Sequence, residues 1–385
     1  MAAVAAAGDE RHARPRKTAG LGGAGKGPDP RARSLTLLAG MSSPPAMTPV
    51  RPEPLLAVDG LGVFFSGEGT EVQATRDIAF SVQPGERVGI VGESGCGKTV
   101  TGLALLGLLP RANTRIAGSA MFEGENLIGL APSRLRRVRG RKISMIFQEP
   151  MSALDPVFTI GQQIGETIRT HFGASKTEAR ERAIDALASV GIPSPARVHD
   201  SYPHQLSGGM RQRAMIAIAL VCEPRLLIAD EPTTALDVTI QAQIIDLLLD
   251  LSTKSGTALL FITHDLGVIA ETCTRMLTMY AGEIVEDSGV DEALVRPRHP
   301  YTSGLLRSLP RLSERGAVLP SIAGRVPSLR GMPSGCRFAE RCAHRIGSCA
   351  ESQSMHRISP VHRVRCSRQD ALMLPGALTD REAGA

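Results

Sequence analysis

Residues 88 to 99 read VGIVGESGCGKT, an apolar run followed by a glycine-rich turn, a lysine and a hydroxyl. Gly92, Gly95 and Gly97 let backbone N–H groups point into one concavity, and the helix-compatible run behind them sets a helix N-terminus there. Such a turn suits phosphate oxygens. Lys98 adds a full positive charge toward the outer phosphates, and the hydroxyl of Thr99 can ligate Mg2+. Gly92, Ser94, Gly95, Cys96, Gly97, Lys98, Thr99 and Val100 are the candidate contacts, with Cys96 itself a small space-filler without chemistry of its own. Farther along, RLLIADEP brings Asp230 and Glu231 out at the end of a second apolar run. One carboxylate can hold a Mg2+ shell while the next polarises a water for in-line attack, the division of labour that phosphoryl transfer needs. His264, in LLFITHDL, also follows an apolar run and in this company reads as functional.

These groups meet only if the runs before them are neighbouring parallel strands. VGIV (88–91), ISMIF (143–147), LLIA (226–229) and ALLFIT (258–263) are short and rich in branched residues, as buried strands of a mostly parallel sheet are. Ligands of such a sheet bind at its carboxyl edge, where all three motifs would lie. The expected fold class is α/β, with shorter β-rich runs broken by Gly and Pro from about Leu55 onward. About 80 residues between the second and third strands carry no comparable run, and a largely helical insertion is expected over about 151–222. Within it Ser175 and Glu178 form a capping box, followed by Ala183, Ile184, Leu187 and Val190 at helical spacing and a stop at Gly191. The expected organisation is a head over 1–52, a catalytic domain over 53–296 and an extension over 297–385 that is rich in Pro, Arg, Ser and Cys. No motif occurs twice, so one catalytic module is expected.

Composition narrows the function classes. With 42% hydrophobic and 21% charged residues in 385, the chain reads as globular, and no run reaches the roughly 18 apolar residues of a membrane span. The net charge of +6 sits almost entirely in the head, whose eight basic and three acidic groups leave about +1 for the remainder. A near-neutral body with 3% aromatics and no Trp argues against a nucleic-acid partner. The head, rich in Ala, Gly, Pro and Arg without periodicity, reads as disordered, with an organellar transit segment or a start at Met41 or Met47 as the other readings.

Four of the seven cysteines, Cys336, Cys342, Cys349 and Cys366, fall within 31 residues, where even scattering would put roughly half of one. The spacing C-x5-C-x6-C-x16-C matches neither zinc knuckles nor the tight ferredoxin run. Four thiolates suit an iron–sulfur cluster as well as zinc, and His344, His356 and His362 are near enough in sequence to replace one of them. Buried thiols without metal are the remaining alternative.

Between the two phosphate-site motifs stands LSGGMRQR, residues 206–213. With it the stretch from about Leu55 to Asp287 resembles the ATP-binding subunit of an ABC transporter. The resemblance implies an ATPase in which Gln148 is the Q-loop residue, Asp237 of TTALD the D-loop aspartate and His264 the switch histidine. It further implies Mg2+ at Thr99, Gln148 and Asp230, catalysis by Glu231 with His264 and Gln148, and adenine stacked on Phe65, with the neighbouring Phe64 as rival. Ser207, Gly208 and Gly209 would open a helix toward the γ-phosphate held by a second ATPase subunit. EPMSALDP (149–156), HPYTSGLLRSLP (299–310), IAGRVPSL and PSGCRFAERC resemble the oligopeptide, dipeptide and nickel uptake branch. That branch implies import of peptides as the first expectation, with nickel, glutathione or sugar-like solutes behind it. The implied partners are two polytopic permeases, a related rather than identical second ATPase subunit and an extracytoplasmic solute-binding protein. The implied location is peripheral, on the cytoplasmic face of a bacterial cell membrane. Similar tails imply a [4Fe-4S] cluster at the four cysteines. The competing readings are a soluble ATPase of the same type in DNA repair or translation, and a phosphate-loop kinase or GTPase.

Overall fold

The computed structural model describes residues 53–67, 70–234, 236–309 and 321–378. The basic head expected over 1–52 lies outside the described residues.

Two antiparallel strands begin the described chain, β1 (Leu56–Gly67) and β2 (Thr70–Val82). Strand β3 (Arg87–Val91) then runs into the glycine turn and α1 (Lys98–Leu105). The chain returns to the first layer with β4 (Thr114–Phe122) and β5 (Glu125–Asn126), completing a four-stranded antiparallel sheet ordered β2-β1-β4-β5. After α2 (Pro132–Val138), β6 (Ile143–Ile146) leads to the helical insertion, made of α3 (Pro150–Ala153), α4 (Ile160–Phe172), α5 (Lys176–Ser189), α6 (Pro195–His199) and α7 (Gly208–Leu220). Then follow β7 (Leu226–Asp230), α8 (Val238–Ser255), β8 (Ala258–Thr263), α9 (Leu266–Thr272), β9 (Arg275–Tyr280), β10 (Glu283–Gly289), α10 (Val290–Val295) and α11 (Pro300–Arg307). A small hairpin, β11 (His356–Ser359) and β12 (His362–Val364), holds the last strands among the described residues.

The second sheet is ordered β11-β12-β10-β9-β3-β8-β7-β6, and its strands β9, β3, β8, β7 and β6 are mutually parallel. All four expected core strands are present, so the α/β reading holds. Phe147 is the exception: the strand ends at Ile146 and the ring stands 37% exposed. Leu226 to Ala229 and Leu259 to Ile262 are fully buried, because apolar layers cover both faces of the sheet. One layer joins β7 and β8 to α4, α5 and α7; the other joins β3 to the antiparallel sheet and α1.

The insertion is helical for local reasons. In α5 the Ser175 hydroxyl accepts from the Glu178 N–H at 3.2 Å, and Ala183, Leu187 and Val190 are buried before Gly191 turns at φ +70°. Reciprocal capping is instead found at α4, where Thr159 and Gln162 bond each other's backbone N–H in both directions. Among the described residues, no helix is long and apolar enough to cross a membrane.

The stretch beyond 297 does not stand apart from the sheet. Strand β12 pairs antiparallel with β10, Glu286 opposite Val364. Buried charges fix that register: His362 Nε2 lies 2.8 Å from Glu286, and Arg363 donates to Asp287, which also takes a two-pronged bond from Arg275.

Candidate functional site

Strand β3 delivers residues 92–97 as a tight cradle. Gly97 has φ +101°, and a Cβ there would press on Met279 and Thr75; a Cβ on Gly92 would run into the Met279 carbonyl. Only glycine meets both demands. Lys98 is buried, and its ammonium donates to the carbonyls of Gly92 at 2.7 Å and Glu93 at 3.1 Å, within the cradle it closes. Cys96 packs into the core beneath the loop, and burial pushes its thiol pKa up. Ser94 and Gly95 are exposed on the cradle's rim, and Val100 lies in the first turn of α1.

The parallel register sets the ends of β3, β7 and β8 side by side. Asp230, the last residue of β7, is almost wholly buried, and the Thr99 hydroxyl donates to its Oδ1 at 3.1 Å. Burial is the main cause that lifts its carboxyl to about 6, and the neighbouring Glu231 charge adds to it. Glu231 follows in a left-handed backbone conformation, φ +44°, while its N–H still bonds the Ile262 carbonyl of β8. Such strain persists only where the surroundings over-determine it, and it turns the side chain out of the sheet edge.

Three side chains meet the Glu231 carboxylate. Gln148 Nε2 donates to Oε2 at 3.0 Å, the Thr234 hydroxyl donates to the same oxygen at 2.8 Å, and His264 Nδ1 lies 3.1 Å from Oε1. Burial alone would raise this carboxyl, but the bonds from Thr234 and His264 outweigh it and hold its pKa below the ordinary value. Glu231, Gln148 and His264 face Gly92, Glu93 and Ser94 across an open pocket of about 420 Å³. An acceptor with fixed lone pairs thus stands opposite a phosphate cradle, as in-line attack on a phosphoryl group requires. Gln148 bonds Glu231, whereas Thr99 bonds Asp230, so the three expected Mg2+ ligands are split between two neighbouring carboxylates.

Other expected residues lie elsewhere. Ser207 caps α7 by accepting from the Met210 N–H at 3.3 Å, with Gly208 and Gly209 in the first turn, and none of the three lines the pocket. The same helix is tied to the carboxylate strand, because buried Gln212 donates to the Pro232 carbonyl. Asp237 caps α8 through the Ile240 N–H at 3.0 Å. Phe64 has the Arg115 guanidinium 3.7 Å above its ring, whereas Phe65 packs against the buried layer that contains Cys96. Thr234, Tyr301 and Arg341 were not expected from sequence. Thr234 was within reach, since it follows Glu231 in EPTT; the other two contact Glu93 from more than 200 residues away.

In the tail, Cys336, Cys342, Cys349 and Cys366 line one small enclosed cavity together with His299, His344 and Phe338. Burial lifts the Cys336 thiol to about 11, and the other three cysteines push it the same way. Burial likewise raises Cys342 and Cys366. All seven cysteines are unpaired, and no three His, Cys, Asp or Glu among the described residues stand together as a single-ion site. His362 does not share this cavity, contrary to its expected candidacy as a ligand: its two ring nitrogens lie 2.8 Å from Glu286 and 2.9 Å from Glu292. His356 pairs within the terminal hairpin.

The ABC transporter family matches residues 75–234, and the oligopeptide/dipeptide transporter C-terminal region matches residues 285–349. A probable peptide ABC transporter ATP-binding protein of Sinorhizobium fredii is 51% identical over 322 residues, covering 83% of this chain and 96% of that protein. A putative peptide import ATP-binding protein of Brucella melitensis is 50% identical over 329 residues, covering 82% and 97%. Among solved structures, the cassette MJ0796, a dimer with ADP and phosphate bound, is similar with a TM-score of 0.55 at 27% identity, over 61% of this chain and 98% of that one. The cbiO1 component of a Clostridium perfringens ABC transporter complex is similar with a TM-score of 0.53 at 26% identity, over 62% and 90%. The phosphate cradle, the carboxylate at the end of β7 and near-full-length matches at half identity agree: this chain belongs to the ATP-binding, ATP-hydrolysing subunits of ABC transporters.

Proposed function

We propose that the chain powers an importer of oligopeptides or dipeptides, hydrolysing ATP against permease subunits to which it binds peripherally on the cytoplasmic face of the membrane. The peptide reading is supported by the named activity of its relatives and by the matching C-terminal region. Met151, Val157 and Phe158, at the start of the insertion just past Gln148, are exposed at 59%, 69% and 49% and offer an apolar surface to such permeases. A second ATPase subunit, related rather than identical, and an extracytoplasmic binding protein complete the proposed assembly.

The single observation that carries the hydrolytic assignment is the Glu231 carboxylate, held by Gln148, Thr234 and His264 opposite the phosphate cradle. Lys98 would leave the loop carbonyls for the β and γ phosphates, the N–H groups from Ser94 onward would cradle them, and Phe65 would stack on adenine. Thr99 and Asp230, already in contact, would hold Mg2+ with Gln148 moving to join them; the ion would neutralise charge on the phosphates. Glu231 would polarise the attacking water and His264 would keep that carboxylate oriented. Ser207, Gly208 and Gly209, which do not line this pocket, would serve the nucleotide of the second subunit. Replacing Glu231 by Gln should leave ATP binding intact and slow hydrolysis in the assembled complex by roughly 100-fold to 10,000-fold. Turnover near the wild-type rate would remove Glu231 from the role.

We also infer a [4Fe-4S] cluster at Cys336, Cys342, Cys349 and Cys366. The donor set fits, being four thiols around one cavity whose thiolate forms repel one another, a repulsion that a thiophilic, cationic centre would relieve. The cluster would supply a covalent staple to a segment short of apolar residues. Anaerobically purified protein should carry about four iron and four sulfide per chain, as the four-thiolate site implies, and Cys349→Ser should lose them. Stoichiometric zinc, or no metal at all, would refute the cluster.

A further inference from the structure

The phosphate loop carries an acid where an anionic ligand is bound. Glu93 lies between Gly92 and Ser94 in the cradle and lines the same pocket as Gln148 and Glu231. An ATP polyphosphate brought beside an unpaired carboxylate there would meet direct repulsion. The carboxylate is not unpaired. Arg341 grips it with both guanidinium branches, Nη1 to Oε2 at 2.9 Å and Nη2 to Oε1 at 3.1 Å. The grip is built from the tail side: the Arg341 side chain is only 6% exposed, and Nε and Nη2 are anchored on the Ala323 and Ile322 carbonyls at 2.8 and 3.2 Å. The Tyr280 hydroxyl accepts from Arg341 Nη1 at 3.4 Å, and the Tyr301 hydroxyl accepts from the Glu93 N–H at 2.9 Å. The backbone and side chain of Glu93 are therefore both held by residues outside the loop, and Arg341 directly precedes Cys342 of the thiol cavity.

We propose that Arg341 is a positioning residue for nucleotide: it neutralises Glu93 and holds its carboxylate away from the phosphates, which makes the affinity for ATP depend on the cysteine-bearing tail. A bidentate arginine suits this role, since it remains charged at any accessible pH and fixes both oxygens at once. The inference rests on reading residues 92–99 as the ATP phosphate cradle, and one variant separates the two.

The test is equilibrium binding of Mg2+ with a non-hydrolysable ATP analogue to the full chain, alongside the nucleotide-free unfolding midpoint of each variant. Arg341→Gln should weaken binding about tenfold, equivalent to about 1.4 kcal/mol. Adding Glu93→Gln to it should bring the affinity back to within about threefold of wild type, since the exposed charge is gone. Arg341→Lys, which keeps charge but loses the fork, should fall between Arg341→Gln and wild type. Wild-type affinity in Arg341→Gln, or a double variant as weak as Arg341→Gln, overturns the proposal. Should Arg341→Gln fail to fold, Arg341→Lys decides: a partial loss of affinity that adding Glu93→Gln restores supports the proposal, and a loss that Glu93→Gln leaves unrestored refutes it. Lys98→Ala stands apart, because unchanged affinity there sinks the cradle reading itself, whereas weakened Lys98→Ala with unaffected Arg341→Gln sinks this inference alone.

Discussion

Glu231 shows how much one residue's chemistry owes to others. Its left-handed backbone aims the side chain, and three donors hold the carboxylate ionised and directed at the cradle. Thr234 is the least conspicuous of these, and it gives a sharper test than removing the acid. Thr234→Val keeps the shape and deletes one bond to a charged oxygen, a loss of about 1.5 kcal/mol that should lower kcat about tenfold with ATP affinity unchanged. Steady-state hydrolysis with a parallel binding measurement checks it, and a matched fall in affinity would place Thr234 in the fold instead. At this scale the sequence was most legible where chemistry is contiguous. Residues 92–99 carry glycines, lysine and hydroxyl in one run, so their roles could be read together. Arg341 and Glu93 are separated by 248 positions, and nothing near either one announces the pair.

Elements were legible in proportion to how uniformly they are buried. LLIA and ALLFIT lie at the centre of the parallel sheet with both faces covered, and an unbroken apolar run is what that environment selects. Strands β1, β2 and β4 left only broken apolar runs, since their layer is half exposed and their pairing shifts register at several points. The hairpin β11–β12 was invisible for another reason: its attachment is polar. His362 is buried between Glu286 of β10 and Glu292 of α10. Burial opposes its charge, but the two carboxylates outweigh that and raise its pKa above the ordinary value. The stabilisation is therefore complete below about pH 6.5, the unfolded value, and is lost as pH rises through the higher folded value. Urea midpoints should fall between pH 6 and pH 9, and His362→Gln should flatten that fall. His362→Ala should cost up to about 3 kcal/mol, because buried Glu286 loses its charged partner and keeps only the Arg298 and His299 N–H groups. A wild-type profile that rises with pH over this interval would contradict the assignment.

At the scale of the whole molecule, the catalytic layer and the tail share one sheet and one set of charges. Tyr280, Tyr301 and Phe338 pack together between them, with ring centroids 4.6 to 5.4 Å apart, Tyr280 and Phe338 edge to face and the other two pairs tilted. A boundary at 297 follows a change in composition, which records how a segment is stabilised rather than where it docks; pairing across β10 leaves no compositional trace. The terminal hairpin also has a protective consequence. Strand β10 is buried along most of its length and paired with β9 on one side, and β12 covers part of its other edge. A chain ended at residue 297 would bare a row of unsatisfied N–H and C=O groups, with Glu286 and Asp287 stripped of His362 and Arg363. Such a margin invites strand-to-strand addition between copies, and light scattering should detect growing aggregates in the shortened chain under conditions where the full chain stays dispersed. The last strands of this ATPase are, on that reading, its guard against polymerisation.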